Sequence, residues 1–282
     1  MTVRMKDVGE KELLKKYVWP LCDTFSSRVR IGDDAAFIPN FAPCGLVVST
    51  DKIPEDLLAV RYEIMTSWEH GRYLAQVNIS DVASMGAKPL ALVASLAFPK
   101  DYEVEEFVKF MEGLASGCRE SGTKFIGGDL GSGSVPYFSG TAFGEVEEGA
   151  CLTRTDARCG NEIFVSGSVG GFGAALAYFG VAKPAGLILS EDKEAILRGR
   201  LCQPRARWEL GLALGSLDGV TACMDVTDGL RQSVDELANA SGVGFVLDFE
   251  SIPLEEGVRD VAELIGIGVE ELAFGIGLDL EL

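Results

Sequence analysis

Histidine is almost missing from this chain, since 282 residues contain only one, His70. A single histidine excludes most histidine-based metal sites and argues against a Ser-His-Asp triad. Residues 67–72 around it are predicted to be helical, and a surface or half-buried position is the default interpretation for His70. Any acid–base chemistry must therefore depend on carboxylates, metal-bound groups or the substrate.

Basic residues are also scarce. The chain has 25 Lys and Arg residues against 43 Asp and Glu residues, which gives a formal net charge of −18. This balance argues against a surface that binds nucleic acid or an anionic membrane. It fits a protein that gathers divalent cations, although many cytosolic proteins are simply acidic.

Paired-cysteine motifs and long apolar runs are absent from the sequence. The seven cysteines include no C-x-x-C pair, so zinc binding is disfavoured and a reduced compartment, the cytoplasm, is expected. Residues 1–16 lack the apolar centre of a signal peptide. No apolar run is long enough to span a bilayer.

The chain carries instead a series of aspartates beside apolar segments. Asp225 and Asp228 follow the apolar run 220–224 and precede a helical pattern. Thr227 or Asp228 could simply cap that helix. The same arrangement recurs upstream at four further positions, which are Asp34, Asp51, Asp81 and Asp129. Capping alone does not explain five such motifs.

These aspartates have few cationic partners in the sequence around them. The five stretches contain no Lys, and Arg30 is the only Arg among them. A carboxylate near apolar residues is costly to bury without a partner, so bound cations are indicated. Oxygen ligands favour Mg²⁺ or Ca²⁺, and Mg²⁺ is usually held by a few carboxylates together with substrate phosphates. The hypothesis is a multi-metal site for a nucleoside triphosphate.

The predicted elements alternate between strand and helix, which indicates an α/β or α+β protein of two domains, 1–149 and 150–282, joined near 147–161. Strands are predicted at 45–50, 90–98, 124–127, 137–146, 162–166 and 242–249. Helices are predicted at 9–19, 62–85, 103–121, 190–201, 204–214, 258–265 and from Asp228 to Ser241. The turn 167–173 resembles a phosphate loop only loosely, and a tight turn is favoured there. Four arginines, Arg198, Arg200, Arg205 and Arg207, are interpreted as a solvated helix surface, with phosphate contact as the alternative.

Several ordered motifs together resemble the thiamine-monophosphate kinase family. They are Ile31-Gly-Asp-Asp-Ala, Ser49-Thr-Asp, Asn78-Ile-Ser-Asp-Val-Ala-Ser-Met-Gly-Ala-Lys-Pro, Gly127-Gly-Asp, Thr153-Arg154 and Asp225-Val-Thr-Asp-Gly-Leu. The resemblance covers nearly the whole chain. It implies an aminoimidazole ribonucleotide synthetase-like fold with two domains, in which the N-terminal sheet forms a barrel across a homodimer. The C-terminal α/β domain is expected to be incomplete.

The resemblance also implies an activity and its residues. The reaction would be thiamine phosphate plus ATP giving thiamine diphosphate plus ADP, with Mg²⁺ as cofactor. The implied Mg²⁺ ligands are Asp34, Ser49, Thr50, Asp51, Asp81, Asp129, Asp225 and Asp228. The implied ATP contacts are Gly128, Asp129, Arg154 and Thr227. Catalysis is assigned to Asp51, Asp225 and Asp228, by alignment and charge neutralisation rather than by a covalent nucleophile.

The chain departs from the family pattern on the acceptor side. The segment 52–59 lacks the histidine that the family usually has there, and Leu278 stands where the family motif has a glutamate. Three hypotheses remain open. They are a thiamine-phosphate kinase, a paralogue acting on another small acceptor, and a non-catalytic protein that binds nucleotide.

Overall fold

A computed structural model describes residues 35–41, 44–54 and 57–282. The predicted helix 9–19 and the predicted metal ligand Asp34 lie outside the described residues. No helix in the described part of the chain is long and apolar enough to cross a membrane.

Five strands form one mixed sheet in the first half of the chain, in the order β1-β2-β5-β3-β4. Their bounds are β1 Ala36–Phe41, β2 Cys44–Ile53, β3 Lys88–Phe98, β4 Lys124–Ser132 and β5 Tyr137–Val146. All pairs are antiparallel except β3 with β4, which is parallel. The prediction of an antiparallel strand at 137–146 is confirmed.

Alternation along β2 and β5 gives the sheet one covered face and one open face. On β2, Val47, Ser49 and Ile53 are buried, and the intervening residues are more exposed. Two helices cover that face, α2 Ser67–Ser84 and α3 Val104–Glu120. The helices pack so closely that a Cβ on Gly113 would lie 1.8 Å from the carbonyl oxygen of Trp68, so this contact requires glycine.

Helix α2 begins later than the sequence pattern indicated. Thr66 accepts a hydrogen bond from the backbone of Glu69, and the Glu69 side chain accepts one from the Thr66 backbone. This reciprocal capping box fixes the first turn at Ser67, so 62–66 are not part of the helix. A short helix, α1 Leu58–Arg61, precedes it.

The second half of the described chain is helical with irregular connections. Its helices are α4 Gly171–Ala177, α5 Glu191–Cys202, α6 Trp208–Ser216, α7 Leu230–Ser241, α8 Val258–Ile265 and α9 Val269–Ala273. The predicted strands at 162–166 and 242–249 are wrong, because the described residues in this half form only an isolated bridge between Val169 and Leu254. The residues predicted to be strands in this half make single backbone hydrogen bonds instead, such as that from the Ser166 N–H to the Leu282 carbonyl oxygen at 2.9 Å.

The arginine cluster is not a solvated surface, and that interpretation is wrong for three of its members. Arg198 pairs with Glu69 at 2.9 Å. Arg200 pairs with Glu255 and Glu281, and Arg207 pairs with Glu281. Glu69 and Glu281 are buried and Glu255 is half-buried, so these arginines join elements of the interior. Arg205 is exposed, as expected.

Candidate active site

The site begins where β2 crosses α2. Asp51 remains inside β2, opposite Gly140 of β5, instead of ending the strand. Its backbone N–H donates to the Asn78 side chain at 3.0 Å. A Cβ on Gly140 would lie 2.5 Å from the Asn78 amide nitrogen. Glycine at position 140 therefore allows α2 to approach the sheet beside Asp51.

A second contact joins the same two elements, two residues earlier in β2 and three residues later in α2. The Ser49 hydroxyl donates to the Asp81 carboxylate at 2.5 Å. Ser49 and Asp51 lie on the same side of β2, since side chains alternate along a strand, and Asp51 is exposed near the end of that strand. Asp81 lies three residues after Asn78, on the same side of α2. The two sequence motifs therefore meet as one structural unit.

Asp225 joins this unit from the second half of the chain. Its carboxylate is 1% exposed and accepts a hydrogen bond from Ser80 of α2 at 2.5 Å. The Thr227 hydroxyl donates to its other oxygen at 3.3 Å. Met224 and Val226 on either side are buried. An apolar segment thus delivers one carboxylate to the end of α2 that carries Asp81.

The electrostatics of this carboxylate cluster are unfavourable. Burial, followed by the negative charge of Asp225, raises the pKa of Asp81 well above its usual range, and the Ser49 hydrogen bond opposes this only in part. Burial also raises the pKa of Asp225, while the Ser80 bond and the positive charge of Arg154 lower it. The charge of Asp51 raises the pKa of both carboxyl groups. The remaining excess of negative charge would attract a cation.

The donor chemistry fits Mg²⁺ bound together with phosphates. Two desolvated carboxylates, flanked by serine and threonine hydroxyls, are hard oxygen ligands of the kind Mg²⁺ prefers. Within the described residues, no three His, Cys, Asp or Glu side chains form a ready-made metal cluster. Mg²⁺ is commonly held by one or two carboxylates with the remaining positions filled by water and phosphate oxygens, so this arrangement is sufficient.

Arg154 lies beside the cluster. It is close enough to Asp225 to lower the pKa of that carboxyl group, and its guanidinium donates to Glu236 of α7 at 2.7 Å. Its carbonyl oxygen accepts from Ser241 at 2.7 Å. Contacts from the middle and from the C-terminal end of α7 thus hold Arg154 near the carboxylates, where it could meet a phosphate.

Gly128 and Asp129 lie on β4, away from these contacts. Strand register places Gly128 in one row with Ala94, Gly140 and Asp51. With strands about 4.8 Å apart, Gly128 is about 14 Å from Asp51 across the sheet. Asp129 is exposed and pairs in register with Ser95. No contact joins it to Asp81 or Asp225 among the described residues.

The glycine at position 128 has a structural cause. Its φ of +149° is uncommon for residues with a side chain, and a Cβ would lie 1.8 Å from the carbonyl oxygen of Ala94. The register of β3 against β4 shifts between Leu92 and Ala94. Glycine therefore allows β4 to pass close to β3 just before Asp129.

The remaining predicted residues point elsewhere. Thr50 donates to the carbonyl oxygen of Gly140 at 2.7 Å and is exposed, unlike its neighbour Ser49. Asp228 is exposed and accepts from Gln232 at 2.7 Å. Neither Thr227 nor Asp228 caps α7, because the N-cap is Gly229 and makes no side-chain capping bond. The capping alternative for this motif is therefore wrong.

Ser80, which binds Asp225, was not among the predicted site residues, although it lies inside the Asn78–Asp81 motif. Its position beside Asp81 was the available signal. His70 takes no part in the cluster. It packs edge-on against Phe110 and Phe138, and burial lowers its pKa to about 4, so the ring is neutral.

The fold belongs to a known class of two-domain proteins. The N-terminal domain of AIR synthase related proteins matches residues 32–146, and the C-terminal domain of the same class matches residues 158–272. Structures of the hydrogenase maturation protein HypE share the fold, and one in a HypE–HypF complex has a TM-score of 0.72 at 22% identity, covering 94% of this chain and 81% of that chain.

Closer relatives narrow the assignment within that class. The thiamine-monophosphate kinase of Methanopyrus kandleri is 30% identical over 272 residues, covering 96% of this chain and 82% of the relative. That of Methanospirillum hungatei is 32% identical over 278 residues, covering 95% and 86%. The chain belongs to the thiamine-monophosphate kinase family.

Solved structures of the family agree with this fold. The thiamine monophosphate kinase of Aquifex aeolicus superimposes with a TM-score of 0.82 at 28% identity, covering 99% of this chain and 88% of that chain. A structure of AaThiL complexed with AMPPCP and TMP gives a TM-score of 0.86 at 28% identity, covering 99% and 85%.

Proposed function

We propose that this protein is an ATP- and Mg²⁺-dependent kinase that phosphorylates thiamine phosphate to thiamine diphosphate. The observation that carries the proposal is the convergence of Ser49, Asp81, Ser80 and Asp225 from both halves of the chain. Family membership supplies the substrates, and AMPPCP, bound in one relative, is an analogue of ATP.

The residues would act by holding charge and geometry. Mg²⁺, when bound, supplies neutralisation of the charge that develops on the phosphoryl oxygens. Asp81 and Asp225 would hold the metal, and Ser49 and Ser80 orient those carboxylates through their hydroxyls. Asp51 would hold a further ion at the same end of β2. Asp34, outside the described residues, stays a prediction.

The group transfer needs no strong base from the protein. A phosphate oxygen of thiamine phosphate forms the new bond to the γ-phosphorus of ATP. The bond from that phosphorus to the β–γ bridging oxygen breaks, and ADP leaves with the electron pair. Because the acceptor oxygen is already anionic, a neutral and buried His70 is no obstacle.

Arg154, Thr227, Gly128 and Asp129 are proposed to contact ATP. Arg154 lies near Asp225 and already pairs with Glu236, so a phosphate would share its guanidinium with that carboxylate. Asp129 and Gly128, about 14 Å from Asp51, would serve a different part of a long ligand. Thr50 and Asp228, both exposed, stay predictions as metal ligands, and Asp228 also as a catalytic residue.

Asp225→Asn tests the proposal most simply. We expect ADP formation to fall at least about 100-fold, because the substitution removes a charge from a metal-binding carboxylate. Asp235→Asn on the exposed side of α7 is the matched control and should keep wild-type turnover. Equal activity in both variants would exclude Asp225 from the site.

We also propose a homodimer joined through the edge of the sheet at β4. We further propose that the two domains divide between residues 149 and 150. The edge strand β4 exposes Ile126 by 60% and Leu130 by 59%, which is unusual for large apolar side chains in one strand. Light scattering should give twice the chain mass, and Ile126→Asp with Leu130→Asp should give a monomer. A wild-type monomer would contradict the dimer. A cytoplasmic location stays a prediction.

A further inference from the structure

A buried ion pair between Arg207 and Glu281 is connected to Asp225 through backbone hydrogen bonds. Glu281 has no exposed surface, and Arg207 donates to both of its oxygens, through Nε at 2.8 Å and Nη2 at 2.5 Å. Ser166 and Arg200 complete the shell at 2.5 Å and 3.2 Å. A two-pronged arginine–carboxylate pair of this kind fixes orientation as well as distance.

The backbone on the Glu281 side leads directly to the active site. The N–H of Val226 donates to the Glu281 carbonyl at 2.8 Å, and the N–H of Leu280 donates to the Val226 carbonyl at 3.1 Å. Both bonds are made by the residue that follows Asp225. The position of Glu281 therefore sets the position of the Asp225 backbone.

The backbone on the Arg207 side leads to α2. Arg72 of α2 donates to the Pro204 carbonyl at 2.8 Å, and Gln76 accepts from the Ala206 N–H at 2.9 Å. These bonds hold the segment 204–207 outside the helix, which explains why α6 begins at Trp208 and not at Pro204. Arg207 is thus anchored to the helix that carries Asp81.

The contacts close into a ring. It runs from Gln76 through Ala206 and Arg207 to Glu281, then through Val226 to Asp225, and returns to α2 through Ser80. We propose that Arg207 and Glu281 are positioning residues that hold Asp225 at a fixed distance from Asp81 against their mutual repulsion. The inference depends on the proposed function, because it treats these two carboxylates as the metal ligands.

The ring is needed because the two carboxylates repel each other when no cation is bound. Without this pair, the Ser80 hydroxyl would hold Asp225 against α2 by a single hydrogen bond. The Arg207–Glu281 pair adds a second and more rigid connection. Partners outside the ligand shell of a metal typically change metal affinity or activity about 10- to 100-fold when they are altered. A similar range is expected here.

Arg207→Lys is the main test, because it keeps the charge and removes the planar fork. The matched control is Arg198→Lys on α5, whose guanidinium also pairs with a buried glutamate, Glu69, at 2.9 Å. Mn²⁺ binding in the presence of ADP is followed by electron paramagnetic resonance, and thermal unfolding is measured in EDTA. Arg207→Lys should weaken Mn²⁺ binding at least about 10-fold, whereas Arg198→Lys should leave it within about twofold of the wild type. Both substitutions should lower Tm by a similar amount.

Glu281→Gln should act in the same direction and more strongly. Because it leaves two arginines beside a neutral group, it can fail to fold, and Arg207→Lys then decides. Equal Mn²⁺ affinity in wild type, Arg207→Lys and Arg198→Lys would overturn the positioning role, as would equal weakening in both lysine variants. Mn²⁺ binding without turnover of thiamine phosphate would refute the proposed acceptor alone, and no Mn²⁺ binding by the wild type would refute both.

Discussion

Replacing Asp81 by asparagine should separate the stability of the fold from its function. Burial and the charges of Asp225 and Asp51 disfavour the ionised form of this carboxyl group and so raise its pKa. If the two carboxylates are taken to be about 6 Å apart, their repulsion is about 3 kcal/mol at an effective dielectric constant of about 20. Weakening of the Ser49 hydrogen bond would offset about 1 kcal/mol of that gain.

We therefore expect Asp81→Asn to increase the free energy of unfolding by about 2 kcal/mol in EDTA at pH 8, given those two magnitudes. For a chain of this size that corresponds to a rise in Tm of about 4–8 °C. Scanning calorimetry is the assay. With Mg-ADP at about 100 times its Kd, the wild type should gain about 2.7 kcal/mol and the variant far less, so the order of stabilities reverses.

The pH dependence gives an internal check on the sign. Between the ordinary aspartate pKa of 3.8 and the raised value in the fold, the folded chain binds more protons than the unfolded chain. Wild-type stability without metal should therefore fall as the pH rises through that window, and Asp81→Asn should flatten the fall. A variant that is less stable than wild type in EDTA at pH 8, or that gains equally from Mg-ADP, would refute the reasoning.

Two further predictions concern the contact between β3 and β4 and the protonation of the metal-binding carboxylates. Gly128→Ala should destabilise the protein by about 1–3 kcal/mol or more, because the new Cβ would clash with the carbonyl oxygen of Ala94. The control is Gly199→Ala, which lies on a helix with open space around it and should be neutral or stabilising by up to about 1 kcal/mol. Denaturant unfolding measures both changes in stability. The Mg²⁺ concentration for half-maximal ADP formation should rise as the pH falls, because protons compete with the metal for Asp81 and Asp225. A half-maximal concentration that is independent of pH would contradict the raised pKa values.

The sequence predicts best what depends on local pattern. Alternation gave the strand 137–146, and helical periodicity gave the helix 258–265, both confirmed. Alternation along β2 brings Ser49 and Asp51 to one side, and spacing brings Asn78 and Asp81 to one side of α2. Both side-chain directions follow from local structure. To predict that the two motifs meet, one needs only to know that β2 and α2 pack together.

Long-range contacts explain what the sequence did not predict. Arg207 reads as a surface residue until Glu281, 74 positions later, is placed against it. Likewise, Ser80 gains a role only when Asp225, 145 positions later, lies beside it. The apolar segments 162–166 and 242–249 have the composition of strands, but their backbone partners are set by tertiary contacts that composition does not reveal.

The most direct test of the central claim is ADP formation from Mg-ATP with and without thiamine phosphate, with the products separated by chromatography. The account predicts ADP only when the acceptor is present, together with an equal amount of thiamine diphosphate. Binding of Mg-ATP without any thiamine diphosphate would contradict it, and it would show that this carboxylate cluster serves another acceptor or nucleotide binding alone.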